Sequence, residues 1–127
     1  MPREVAMMFE SIARVKELRK RYNHKMFQSG VPVFRAFEEL EAQILSSGVL
    51  ERKVKELAAI GISIVAGCYG CIEYHVTAAL EQGATRKEVE EMAALAICMG
   101  GGTAQWAARY VFQVLEELEH KGAGTDL

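Results

Sequence analysis

Two cysteines three positions apart, Cys68 and Cys71, with His75 one helical turn beyond the second, are the residues of this chain best suited to chemistry. The reactive form of cysteine is the thiolate, favoured where free backbone N–H groups and the positive end of a helix dipole face the sulfur. Gly67, directly before Cys68, puts the pair at the expected start of a helix. On that helix residues 71 and 75 share a face, so His75 can take the Cys71 thiol proton directly or through a water. Cys68 lies one turn earlier, close enough to close a disulfide with Cys71 after modest adjustment. A nucleophile, a base and a resolving thiol thus fall within one short stretch of chain. Taken alone, His75 would read as an ordinary core or surface histidine; the two sulfurs before it change that reading.

Glu56 is a less obvious partner. It sits beside an apolar stripe, where a glutamate is normally solvated. If the chain reverses near Ala66-Gly67, however, the flanking helices run antiparallel. At ~1.5 Å rise per residue, Glu56 then lies ~16 Å back from the turn and His75 ~12 Å along the returning helix. That offset is within side-chain reach, and a carboxylate there can orient the imidazole and stabilise its protonated form.

The elements that must position these groups are helical throughout. Apolar residues return at spacings of three and four, and prolines occur only at Pro2 and Pro32. The pattern predicts an all-α, compact bundle of about six helices in a single domain over 1–127. A long first helix spans about Arg3 to Met26, with Val5, Met8, Phe9, Ile12, Val15, Leu18 and Tyr22 as its stripe and a solvated basic face of Arg14, Lys16, Arg19, Lys20 and Arg21. Its length suggests docking on a neighbouring subunit. Pro32 opens the second helix, which carries Val33, Phe37, Leu40 and Ile44 on one face. The third, about Glu51 to Val65, turns Val54, Leu57, Ala58, Ile60, Ile64 and Val65 inward. The fourth runs from Cys68 to Gln82, with Gly83 as its C-terminal cap. Thr85-Arg86-Lys87-Glu88 reads as a capping box opening the fifth, with Val89, Met92, Ala93, Ala96 and Met99 inward. Gly100-Gly101-Gly102 joins it to the sixth, about Thr103 to His120. No strand precedes this triple glycine and no lysine follows it, as a phosphate-binding loop would require. The core is expected over about 51–118 and a frayed tail over 121–127.

Composition bounds the partners. A 127-residue chain that is 50% hydrophobic, 25% charged and of net charge -2 reads as an ordinary globular protein, with no electrostatic case for nucleic acid or an anionic membrane. No apolar run is long enough to span a membrane, and the N-terminus lacks the apolar stretch of a secretory signal, so a cytoplasmic location is the expectation. An odd cysteine count does not describe a disulfide framework. Cys98, in the run Leu95-Ala96-Ile97-Cys98-Met99, reads as a small buried hydrophobe. Trp106, Met7, Met8, Met92 and Met99 read as core or interface filler.

Glu56 followed by Cys68-x-x-Cys71-x-x-x-His75 resembles the alkylhydroperoxidase D-like branch of the carboxymuconolactone decarboxylase family. Lys55-Glu56-Leu57, Gly67-Cys68 and Ala78-Ala79-Leu80 with Gly83-Ala84 are similar too, and the resemblance spans roughly Glu51 to Leu118. It implies an all-α fold assembled as trimers or hexamers, and thiol peroxidase chemistry. Carried onto this chain, Cys71 would attack a hydroperoxide and become a sulfenic acid, Cys68 would resolve it to a disulfide, and Glu56 and His75 would relay the proton. The redox-active Cys68–Cys71 disulfide would serve in place of a cofactor. Reducing equivalents would come from a lipoyl-bearing protein or another dithiol donor. Gly70 stands where the best-known peroxidase members carry a histidine of their proton relay. The decarboxylase branch lacks the cysteine pair, so lactone decarboxylation is not expected.

Two other readings fit the same residues. Cys68, Cys71, His75 and Glu56 could ligate zinc, although structural zinc usually takes more sulfur and a second separated ligand pair. A c-type haem fails, because Ile72 follows the second cysteine where histidine is needed. The pair could also belong to a non-catalytic redox sensor or assembly protein.

Overall fold

The computed structural model describes the backbone of residues 9–126 and the side chains of residues 9–120. These residues form helices and turns only: α1 (Ile12–Gln28), α2 (Pro32–Leu45), α3 (Arg52–Ala66), α4 (Tyr69–Glu81) and α5 (Arg86–Asp126). The long last helix is bent at Gly101, whose φ of 71° and ψ of -149° are non-helical. That combination is open essentially to glycine alone. Five helices therefore account for the six expected, the last two being joined end to end. At Gly100 a Cβ would sit 2.7 Å from the Ala104 Cβ and 3.3 Å from a Val65 methyl carbon, so α3 and α5 approach as closely as they do only because that position is bare.

The core lies among α3, α4 and α5. Ile60 and Ile64 from α3, Ile72 and Val76 from α4, and Val89 and Val111 from α5 are fully buried. Two reversals are built alike. Gly67 ends α3 in the left-handed region, with Gly67 N–H donating to Ile64 O and Cys68 N–H to Ser63 O, both at 3.0 Å. Gly83 does the same after α4, through Gly83 N–H to Leu80 O and Ala84 N–H to Ala79 O. The expected capping box is present: Glu88 N–H donates to Thr85 Oγ1 at 3.1 Å, and Thr85 N–H to Glu88 Oε1 at 2.9 Å.

Several expectations need correction. Among the described residues the first helix begins at Ile12, where the Ser11 hydroxyl caps it by accepting from Arg14 N–H, so the helix expected from about Arg3 to Met26 does not run unbroken through residues 9–11. Ahead of it, Phe9 exchanges backbone hydrogen bonds with the Gln113 side chain on α5. The expectations for Val5 and Met8 lie outside the described residues. At the other end α5 continues to Asp126, so the expected tail is helical in backbone up to its penultimate residue, through Gly122 and Gly124. On α3 the inward face is Glu56, Ile60, Ser63 and Ile64, while Val54 and Val65 are exposed. The sequence is apolar on nearly every side of this helix, so its pattern could not fix the phase. Cys98 is a free, exposed cysteine, since the inward stripe of α5 is Val89, Ala93 and Ala96, and two residues past Ala96 is just over half a turn away. Met99, expected inward, is exposed as well. No residue of α2 is buried, and Val33, Phe37, Leu40 and Ile44 all face outward.

Candidate functional site

The left-handed turn at Gly67 delivers the chain directly into the N-cap of α4. That N-cap is Cys68, in extended conformation, and its sulfur accepts the Cys71 N–H at 3.2 Å. Sulfur thus fills the place that a serine or aspartate oxygen usually takes at the first turn of a helix. Cys68 and Cys71 are joined as a disulfide, with their Cα atoms 5.2 Å apart. Both are partly exposed, so the pair opens to the surface.

His75 follows one turn along α4. Its Nδ1 lies 2.7 Å from Glu56 Oε1 on the antiparallel α3, as the sequence offset required. The Glu56 side chain is completely buried and that of His75 is 12% exposed. Arg52, one turn before Glu56, donates from Nε to Oε2 at 3.1 Å, so each carboxylate oxygen has a partner. With Nδ1–H given to the carboxylate, the Nε2 lone pair of a neutral imidazole is left to accept a proton. The four residues singled out from the sequence therefore form two bonded pairs, a disulfide and a Glu–His pair, on adjoining helices. Among the described residues no group of three or more His, Cys, Asp or Glu side chains is arranged to hold a metal ion.

A second buried carboxylate escaped the sequence reading. Glu73, between Cys71 and His75, is fully buried on the opposite side of α4. Lys16 and Arg19 of α1 reach it at 2.6 Å each, and Thr77 donates to it at 2.9 Å. Burial works to raise this carboxyl, but the hydrogen bonds from Lys16, Arg19 and Thr77 outweigh it and hold Glu73 below the ordinary carboxylate range. The basic face of α1 is thus not simply solvated: two of its cations turn inward. The helical phase carried the signal, since Glu73 sits directly after Ile72 and three before Val76, inside the buried stripe. Arg19 also donates to the Gly70 carbonyl at 2.8 Å and lies over the Tyr74 ring, which meets His75 edge-on.

An aromatic cluster flanks the disulfide. Tyr69 packs on Phe9 and on the edge of Tyr110, and Phe9 also meets Trp106. The Tyr110 hydroxyl is buried without a hydrogen-bond partner, and burial, followed by the Glu73 charge, pushes its ionisation up, so it stays neutral.

Comparison with known proteins agrees with the all-helical fold. The carboxymuconolactone decarboxylase family model matches residues 32–114, so the match takes in α2, which the sequence resemblance left out. The chain is 32% identical over 92 residues to an uncharacterised protein of the cox locus of Paracoccus denitrificans, covering 72% of this chain and 83% of that one. It is 32% identical over 89 residues to an uncharacterised protein of Cupriavidus necator, covering 70% and 78%. Among solved structures, a carboxymuconolactone decarboxylase family protein of Legionella pneumophila superposes with a TM-score of 0.78 at 26% identity, over 84% of this chain and 95% of that one. A family protein of Thermotoga maritima, for which a part in antioxidative response has been suggested, superposes with a TM-score of 0.81 at 28% identity, over 90% and 97%. The chain belongs to the carboxymuconolactone decarboxylase family, and these matches are consistent with its alkylhydroperoxidase D-like branch.

Proposed function

We propose that this protein is a dithiol peroxidase that reduces hydroperoxides through Cys68 and Cys71. The observation that carries the reading is the Glu56–His75 pair at 2.7 Å, whose histidine follows on α4 a cysteine pair close enough to be bonded. In the reduced protein His75 accepts the Cys71 proton, and Glu56 stabilises the imidazolium. The Cys71 thiolate attacks the terminal peroxide oxygen. The O–O bond breaks, Cys71 becomes a sulfenic acid, and the leaving alkoxide takes a proton to give the alcohol. The Cys68 thiolate then attacks the Cys71 sulfur, the S–S bond forms, and hydroxide leaves with a proton as water. A dithiol donor, such as a dihydrolipoyl group, gives two electrons and two protons to restore both thiols.

A continuing supply of dithiol suits a reducing compartment, so a cytoplasmic setting belongs to the proposal. No helix of the described residues is long and apolar enough to cross a membrane. Homo-oligomerisation belongs to it as well: α2 leaves Val33, Phe37, Leu40 and Ile44 at least half exposed, and the family resemblance implies a trimer or hexamer.

Turnover with a dithiol donor and an alkyl hydroperoxide tests the activity. Cys71→Ser is expected to abolish it, and Cys68→Ser to permit a single oxidation and then stall. Full multiple turnover in Cys71→Ser would overturn the assignment. Reversible disulfide formation without turnover would favour the redox-sensor reading.

A further inference from the structure

One peptide unit connects α1 to the cysteine pair. The carbonyl of the Gly70–Cys71 peptide accepts from Arg19 Nη2 at 2.8 Å, and the N–H of the same peptide donates to Cys68 Sγ at 3.2 Å. The same Arg19 nitrogen is 2.6 Å from Glu73 Oε1. Hydrogen bonds in such a chain polarise one another: a carbonyl that accepts from a cation makes its own N–H a stronger donor. A bond to sulfur from that N–H favours the ionised sulfur over the neutral one.

We infer that Arg19 is a positioning residue for the dithiol, which holds the Gly70–Cys71 peptide so that its N–H stabilises the Cys68 thiolate. The inference rests on the dithiol reading and deepens it by assigning Cys68 its role in both halves of the cycle. As resolving group, Cys68 must be ionised when Cys71 is a sulfenic acid. When the donor thiolate attacks the Cys71 sulfur, the S–S bond breaks and Cys68 departs with the electron pair; a stabilised thiolate leaves faster.

The charged and titratable groups around this stretch of α4 come from its neighbours on both sides. Arg19 and Lys16 approach from α1, Glu56 with Arg52 from α3, and the neutral Tyr110 from α5, while Glu73 and His75 belong to α4 itself. Glu73 neutralises one of the two α1 cations and fixes the plane of the Arg19 guanidinium. The remaining charge is free to act through the Gly70 carbonyl. A lysine at position 19 would keep the charge, but its shorter side chain and freely rotating ammonium lack the fixed plane of the guanidinium.

The test is a thiol titration. In a Cys71→Ser, Cys98→Ser background Cys68 is the only thiol left, and residue 71 keeps its N–H. Ionisation is followed by thiolate ultraviolet absorbance, with the fold checked by circular dichroism. Arg19→Gln is expected to raise the Cys68 pKa by about one unit, and Arg19→Lys by about half a unit. With both cysteines present, and at a pH above the Cys68 pKa of both proteins, Arg19→Gln should shift the dithiothreitol equilibrium about tenfold toward the disulfide. A folded Arg19→Gln whose Cys68 ionises as in the parent would overturn the inference, leaving Arg19 only a structural tie. Should Arg19→Gln fail to fold, an unchanged Cys68 pKa in Arg19→Lys would overturn it equally. Neither measurement uses peroxide, so loss of the peroxidase reading and loss of the Arg19 role are separately visible.

Discussion

At the scale of single residues, the site depends on two carboxylates that are buried for different ends. Glu56 carries a bond to His75, so its loss should be felt in catalysis. Glu56→Gln is expected to lower peroxide reduction about a hundredfold, the low end of what the general base His75 that it orients contributes, with the helix content unchanged. Assays at saturating reductant, with circular dichroism alongside, check this. Glu73 instead ties α4 to α1. Its carboxyl is held below the ordinary range in the folded chain, so folding favours its ionised form. The resulting stability is full above the unfolded carboxylate value of about 4.3 and is lost as pH falls through the lower folded value. Unfolding by urea from pH 7 downward should show a decline below about pH 5 that Glu73→Gln makes shallower. Glu56, Cys68, Cys71 and His75 were legible in the sequence because regular spacing on two antiparallel helices fixes which side chains meet. Glu73 was not, because its partners Lys16 and Arg19 are more than fifty positions away and read as a solvated face.

At the scale of elements, glycines set where the helices stop. Gly67, Gly83 and the Thr85–Glu88 box were readable because caps follow local rules. The end of α3 at Gly67 and the start of α4 at Cys68 are one turn of chain, and that adjacency presents the cysteines at a helix mouth. Gly101 makes a sharper demand, with φ of 71° and ψ of -149°. Gly101→Ala should cost about 1–3 kcal/mol in thermal or chemical unfolding, whereas Gly102→Ala should cost much less. The phase of α3 was the element least available to pattern reading. Val54, Ile62 and Val65 are as apolar as the buried Ile60 and Ile64, and only the three-dimensional arrangement shows which face the chain itself covers.

At the scale of the whole molecule, that surplus of apolar surface continues across α2. A helix with no buried residue, lined by Val33, Phe37, Leu40 and Ile44, has little to hold it in an isolated chain. The face fits burial against further copies of this chain. Phe37→Asp is expected to shift the protein to a smaller species in light scattering after gel filtration, and an unchanged mass would remove the assignment of α2 to the interface. The overall class, an all-helical fold with a cysteine pair at one turn, was open to sequence reading because it depends on period and caps. The way α1 clasps α4 depends on long-range ion pairs and was not.

The most direct measurement of the central claim is the sulfur balance after a single addition of hydroperoxide to the fully reduced protein. Mass spectrometry should find Cys68 and Cys71 joined, Cys98 still free, and one alcohol released for each disulfide formed. Peroxide left intact with Cys68 and Cys71 still alkylatable would contradict the account, as would oxidation that reaches the exposed Cys98 first.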